Sequence, residues 1–432
     1  MHKSFSVQCV DTIRSVFAIA SISAFLLCLP TERVWAQPFG SDYLVDVQGT
    51  IEWGDYDADG DPDLVVTGTG NVRLEDGQSV RPFYTIIYRN DGESTFTDVR
   101  AGLVAVGRRE FGSATWGDCD GDGDLDVAVM GRTADDADTL AVYRNDGGDV
   151  FTTAGVQLPG AGGTEGEWLD YDSDGDQDLL VIGDSASTAT AKMYRNDGTC
   201  SFTTLDVGIQ PMERGKVEAG DYDADGDPDL ILVGDANGGG FGGDTAIVYR
   251  NDGGTFVDVG AGLLPVTAPD ADWGDFDGDG DLDLVVTGGT SGSGSGFSTT
   301  VYRNDGNDTF TDVNANVQPI RNGASQWGDY DGDGDLDLFL GGSGGSSLAA
   351  IYRNTNGQFT DVGIPLQPIV DGSAGWADYD SDGDLDLITA GNVGRFAVTT
   401  LYRNDGNGVF RSGVVPAAGN LAWADYDGDG DL

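Results

Sequence analysis

The chain has 432 residues and a formal net charge of −52, with 74 acidic side chains, 22 basic ones and 69 glycines. So acidic a surface excludes nucleic acid and anionic membrane as partners. Glycine at more than twice its usual share marks a chain of tight turns, and disorder is excluded because the acidic residues recur at fixed spacing between apolar, strand-like runs.

The first element is an export signal. Lys3 and Arg14 flank the start, an apolar run covers Val16 to Leu29, and Val34 and Ala36 supply the −3 and −1 side chains of a cleavage site, so residues 1–36 are expected to leave with a cut before Gln37. The run is too short for a comfortable membrane span, and no later stretch is apolar enough for one. The mature protein is therefore expected to be secreted or held at the cell surface. Cys9 and Cys28 depart with the signal, leaving Cys119 and Cys200. Cys119 stands where other repeats put Tyr or Phe, so a small apolar substitute is expected there rather than half of a disulfide.

From residue 48 onward the chain repeats. Trp53, Trp116, Trp168, Trp273, Trp327, Trp376 and Trp423 each precede an aspartate-rich segment, with Ala219 replacing Trp in the fourth copy. The segments begin at Asp55, Asp118, Asp170, Asp221, Asp275, Asp329, Asp378 and Asp425, a period of about 53 residues. A second motif alternates with the first: an apolar run ending in Tyr-Arg-Asn, a turn, then Phe. It starts at Tyr88, Tyr143, Tyr194, Tyr249, Tyr302, Tyr352 and Tyr402. Asn-Asp-Gly between β-rich runs is a hairpin signal, because these residues tolerate positive φ; the sixth copy keeps this chemistry as Thr355-Asn356-Gly357.

Each unit reads as four strands. The first ends at Trp-Gly-Asp, the second is the apolar run after the acidic loop, the third leads into Tyr-Arg-Asn and the fourth starts at the Phe. Four antiparallel strands per unit, repeated in a ring, predict an all-β propeller with seven complete blades over residues 48–414. Residues 415–432 begin an eighth unit. Residues 37–47 form an N-terminal segment whose Tyr43 to Val47 resemble a fourth strand, which favours eight blades in the intact protein, with seven as the alternative.

The acidic loops carry the chemistry. In the first, Asp55, Asp57 and Asp59 place carboxylates at positions 1, 3 and 5, Gly60 allows the sharp turn, the carbonyl of Asp61 sits at position 7, and Asp63 closes the site at position 9. The same set recurs as Asp118, Asp120, Asp122, Asp124 and Asp126; as Asp170, Asp172, Asp174, Asp176 and Asp178; and as Asp221, Asp223, Asp225, Asp227 and Asp229. It continues as Asp275, Asp277, Asp279, Asp281 and Asp283; as Asp329, Asp331, Asp333, Asp335 and Asp337; and as Asp378, Asp380, Asp382, Asp384 and Asp386. The eighth, Asp425, Asp427, Asp429 and Asp431, stops before position 9 and is expected to be a truncated repeat. Clustered hard oxygen donors at this spacing suit Ca2+ better than Mg2+, with about one ion per complete repeat, seven in all. A helical EF-hand is excluded, since its position-12 Glu is replaced by Val66, Val129, Val181, Leu232, Val286, Leu340 and Thr389.

The Trp-Gly-Asp-(Tyr/Phe)-Asp-x-Asp-Gly-Asp-x-Asp segment together with Tyr-Arg-Asn-Asp-Gly and Phe resembles the FG-GAP and VCBS repeats of integrin-α-like propellers, over about residues 48–432. The Phe-Gly of the family name is mostly Trp-Gly here. The resemblance implies a propeller with calcium in the loop between strands one and two. It also implies adhesion or cell-surface roles, or membership in polysaccharide lyases or phospholipases.

The sole histidine, His2, lies in the signal, which excludes Ser-His-Asp and Cys-His catalysis and His-ligated metal from the mature chain. The expected function is a non-catalytic extracellular recognition or adhesion module for a protein or glycan ligand. The alternatives are the propeller portion of a secreted carbohydrate-active enzyme and a purely structural surface protein. The seven Tyr-Arg-Asn arginines are expected to be structural, pairing with loop carboxylates. Alternate connections lie on opposite faces, so the acidic loops and Asn-Asp-Gly hairpins share one face. The variable connections at 69–83, 235–244 and 290–298 are expected on the other, as candidate ligand loops.

Overall fold

The computed structural model describes residues 44–413 apart from 71, 74–78, 93–94, 108–111, 155–161, 186–187, 213, 237–243, 291–295 and 407. The expected export signal, the eighth loop (Asp425, Asp427, Asp429, Asp431) and the central parts of the three variable connections lie outside the described residues.

Seven four-stranded antiparallel sheets are formed, each in chain order from inner to outer strand. Blade 1 comprises Gln48–Gly54, Asp63–Thr69, Phe83–Asn90 and Phe96–Asp98. The inner strands of blades 2 to 7 are Ser113–Gly117, Gly162–Leu169, Arg214–Gly220, Thr267–Gly274, Arg321–Gly328 and Val370–Ala377. Their second strands begin at Asp126, Asp178, Asp229, Asp283, Asp337 and Asp386, so position 9 of each acidic loop is also the first residue of a strand. The second strands are buried along nearly their whole length, as in Asp63–Thr69 and Asp283–Gly289. Sandwiching between neighbouring sheets explains why they read as continuous apolar runs.

The register is repeated in every blade. Gly54 pairs with Asp63, Gly117 with Asp126 and Gly274 with Asp283, which clamps the two ends of the acidic loop together. Where the next blade carries a Trp the residue opposite position 9 is small, because that indole lies on it; in blade 3, whose neighbour has Ala219 instead, it is Leu169. A Cβ on Gly54 would sit 2.7 Å from Trp116, and one on Gly274 2.7 Å from Trp327.

The expected tryptophan role is structural, and its partner is the aromatic at loop position 2 of the preceding blade. Tyr56 stacks on Trp116, Tyr222 on Trp273 and Phe276 on Trp327, each with centroids 5.9 Å apart. The outer-strand Phe of the following blade closes each group, as Phe151, Phe310 and Phe359 do. Every interface between blades thus carries its own apolar cluster, built from two adjacent sheets.

The ring closes at seven blades, which departs from the expectation of eight. The inner strand of blade 1 packs on that of blade 7, and Trp53 stacks on Tyr379 at 6.5 Å. Residues 44–47 do reach the last blade, but as a connector rather than a fourth strand. Asp46 and Val45 bind Thr399, while the Val45 N–H donates to the Tyr88 hydroxyl at 3.1 Å. Connectors into later blades make the same bond, as Val104 does to Tyr143 and Leu264 to Tyr302. Phe410–Gly413 supplies the fourth strand of blade 7, so among the described residues the four strand positions of every blade are filled without residues 44–47.

Cys119 and Cys200 form a disulfide, which corrects the expectation of a small apolar substitute. Cys119 occupies the position-2 aromatic site of blade 2 and Cys200 lies in the outer hairpin of blade 3, so a covalent bond replaces the aromatic stack between these blades. The ring brings together residues 81 apart in sequence, and local spacing carries no trace of that proximity.

Candidate functional site: seven acidic loops and a charged channel

Each acidic loop is organised by its own backbone. In loop 1 the two carboxylate oxygens of Asp55 accept the N–H groups of Asp59 and Gly60 at 3.1 Å, and Asp59 accepts that of Asp61 at 3.0 Å. Gly60 takes the required left-handed turn with φ of 96°. The same bonds recur in other loops, as at Asp170 and Asp275. They leave positions 1, 3 and 9 facing one another. Carboxylate oxygens of Asp55, Asp57 and Asp63 lie within 4.8 Å of one another, as do those of Asp170, Asp172 and Asp178. In two other loops the trios are Asp118, Asp120 and Asp122, and Asp221, Asp223 and Asp225.

Position 9 is more deeply engaged than a simple closing ligand. Asp63 is fully buried. One oxygen accepts the N–H of Asn90 at 2.7 Å and the other that of Tyr56 at 3.0 Å. Its counterparts Asp126, Asp178, Asp229, Asp283, Asp337 and Asp386 accept from Asn145, Asn196, Asn251, Asn304, Asn354 and Asn404. The Asn of Tyr-Arg-Asn also crosses to the preceding blade: Asn90 donates to the Tyr379 carbonyl and Asn304 to that of Tyr222, both at 2.8 Å. The acidic loop, hairpin and neighbouring blade are therefore one hydrogen-bonded unit on one face of the ring. At position 7 the Asp61 side chain turns outward to Ser381, and Asp227 turns to Ser173 and the Gly253 N–H, consistent with a carbonyl contribution from this position.

The electrostatics are those of crowded like charges. Burial, then the charge of its neighbours, raises the position-3 carboxyls of Asp57, Asp223 and Asp277. Burial pushes Asp63, Asp126, Asp283 and Asp386 up to about 7 despite their backbone donors. One oxygen each of Asp120, Asp172, Asp331 and Asp380, all at position 3, is buried without a hydrogen-bond donor. A buried carboxylate oxygen with no donor is costly unless a cation meets it. The donor set is hard, anionic and nitrogen-free, which fits a divalent alkaline-earth ion.

A second charged site was missed at the sequence level. A central cavity of about 730 Å3 is lined by the inner strands of all seven blades. The residues one and three before each Trp, and before Ala219 in blade 4, line it, among them Glu52, Glu165, Glu167, Glu218, Asp270 and Asp272. Lys216 bridges Glu165 at 3.0 Å and Glu218 at 2.7 Å. Burial raises Glu52 to about 8 and Asp270 to about 6, and raises Glu167 and Asp272 well above the usual carboxylate range. Burial would lower Lys216, but the carboxylates of Glu165, Glu218 and Asp270 hold it well above its ordinary value. These acids also brace the ring. Glu52 accepts the Trp116 N–H at 3.3 Å and Asp272 that of Trp327 at 2.8 Å. The signal was period-two alternation counted back from each Trp.

Fold and loops together define a seven-bladed propeller with an aspartate loop at the inner hairpin of every blade. The chain belongs to the FG-GAP-like repeat family, whose model matches residues 55–129, 170–232, 221–286, 275–340, 329–389 and 378–432. No curated protein sequence matches it. Among solved structures it is similar to a lectin of Agrocybe aegerita described as recognising non-reducing terminal N-acetylglucosamine. The identity is 17%, the TM-score 0.48, and the match covers 85% of this chain and 94% of that one. At that distance the likeness says nothing of this chain's ligand. Among the described residues no helix is long and apolar enough to cross a membrane.

Proposed function

We propose that this protein is a calcium-stabilised extracellular propeller that serves as a non-catalytic recognition or adhesion module. The observation that carries the calcium reading is the donor-less inward oxygen at position 3, repeated in loops whose other carboxylates converge on the same point. Asp55, Asp57 and Asp63, with the Asp59 side chain and the Asp61 carbonyl, would hold the ion in loop 1, and the equivalent residues would do so in loops 2 to 7. Calcium there supplies charge neutralisation and a fixed loop shape. The chain's own residues supply the rest: position 9 ties the loop to the hairpin, and the hairpin Asn ties it to the next blade.

Export is supported by the N-terminal signal and by the Cys119–Cys200 disulfide, since disulfides persist in oxidising compartments. The absence of histidine from residues 37–432 supports a binding role over hydrolysis of the Ser-His-Asp kind. The ligand class is an extracellular protein or glycan, presented to the rigid ring.

Elemental mass spectrometry of protein dialysed against millimolar Ca2+ and then buffer tests the metal. About seven ions per chain are expected, and retention of none would remove the reading. Glycan and protein arrays probed with calcium present test the recognition role, and silence on both would leave a structural surface protein.

A further inference from the structure

The Tyr-Arg-Asn arginines do not all do the same thing. In blade 3, Arg195 donates to the outer oxygen of Asp172 at 2.7 Å and to Asp174 at 2.8 Å, positions 3 and 5 of its own loop. In blade 6, Arg353 does the same to Asp331 at 3.1 Å and Asp333 at 2.7 Å. In both loops the guanidinium takes Oδ2 of the position-3 carboxylate, and Oδ1 of that carboxylate is the buried oxygen without a donor. Blades 2 and 7 show a looser form. Arg144 and Arg403 lie 3.8 and 3.7 Å from Oδ2 of Asp120 and Asp380, and again the Oδ1 atoms are buried and donor-less.

In blades 1 and 4 the arginine turns away. Arg89 binds Asp91 and, across the interface, Asp149; Arg250 binds Asp252 and Asp308. The sequence explains the split. Asp149 and Asp308 are extra carboxylates in the hairpins of blades 2 and 5, and they attract the arginine of the blade before. In blade 6 the residue after Tyr-Arg-Asn is Thr355, which offers no carboxylate. In blade 3 it is Asp197, which takes Thr199 at 2.6 Å, while Arg195 bonds Asp172 and Asp174. The guanidinium in these two blades bonds the carboxylates of its own loop instead.

We infer that Arg195 and Arg353 are positioning residues for the divalent ion: each fixes the outer face of the position-3 carboxylate so that one oxygen points inward, and loops 3 and 6 are thereby set apart from loops 1 and 4. The inference rests on the calcium reading above. A planar fork holding a carboxylate in one orientation is a task that Arg performs and Lys does not. Partners of this kind, which orient a metal ligand without touching the metal, are typically worth 10–100-fold in affinity. A guanidinium also repels the cation, so the sign of the effect is informative.

The test is a calcium titration by calorimetry on the full, chelator-stripped chain, with thermal melts in saturating calcium to confirm folding. In an Arg195→Gln/Arg353→Gln double variant, two of the sites should weaken roughly tenfold or more while the rest keep their affinity. Arg195→Lys/Arg353→Lys, which retains charge but not the fork, should weaken the same two sites less. Arg89→Gln/Arg250→Gln should leave the isotherm as in wild type. An unchanged or tightened isotherm in the Gln variant at Arg195 and Arg353, or equal weakening in the Arg89 and Arg250 variant, would overturn the inference. A wild-type chain that takes up no calcium would instead overturn the metal reading, and this inference with it.

Discussion

A single asparagine does most to make each acidic loop part of the ring. Asn304 gives its backbone N–H to Asp283 at 2.8 Å and its side-chain amide to the carbonyls of Tyr222 and Leu282, so one residue joins strand, loop and neighbouring blade. Replacing it with Ala leaves buried carbonyls without a donor, at a cost of roughly 1–3 kcal/mol per interface. A thermal or urea melt of Asn304→Ala should show a loss in that range, and a loss below about 0.5 kcal/mol would show that the interface does not depend on this bond. The loop aspartates and this Asn were both legible in sequence, because an acidic loop and a tight turn each place particular side chains at fixed offsets. The second job of position 9, as a buried anchor for two N–H groups, was not, because those donors come from the start of the loop and the far end of the third strand.

At the scale of elements, the blade was readable from chain order alone. Gly, Asn and Asp marked the turns, the second strand was apolar on both faces, and Trp fixed the end of the first. Contacts between blades were less readable, since they join residues some fifty to ninety positions apart. The disulfide is the clearest case: Cys119 stands in an aromatic slot, and only the ring places Cys200 against it. Because the bond closes a long loop, its removal should cost about 2–4 kcal/mol. A Cys119→Ser/Cys200→Ser variant should therefore melt well below wild type, and equal melting of reduced and oxidised protein would contradict a stabilising role. Trp273 makes a complementary case. It packs between Tyr222 and Phe310, so Trp273→Ala should cost on the order of 3 kcal/mol. A loss under 1 kcal/mol in a denaturant melt would count against the stack as an interface anchor.

For the whole molecule, two sets of carboxylates act in opposite senses. Those in the channel were hidden in sequence because no inner strand contributes more than two and those of blades 2 and 6 contribute none, so the ring alone assembles them. Glu52 is raised to about 8 and Asp270 to about 6 by burial, against ordinary carboxylate values of about 4 in the unfolded chain. The folded ring thus holds more protons than the unfolded chain between about pH 4 and pH 8. The channel's contribution to stability is fully present below that window and is lost as pH rises through 6 and then 8. In calcium-saturated protein the Tm should fall between pH 6 and pH 9, and Glu52→Gln should flatten that fall; parallel pH profiles for the two proteins would contradict it.

On the calcium proposal the loop carboxylates would make the opposite demand, for a cation rather than a proton. If calcium binds as proposed, with extracellular-type affinities and free calcium about ten times Kd, each of seven sites would add roughly 1.4 kcal/mol, or about 10 kcal/mol together, comparable with the stability of a whole domain. The most direct measurement is the melting temperature of the intact chain in millimolar Ca2+, in excess EDTA, and in EDTA with excess Mg2+. Chelation should lower Tm by roughly 10 °C or more, with restoration by calcium and little rescue by magnesium. A Tm that is the same in all three conditions would contradict it.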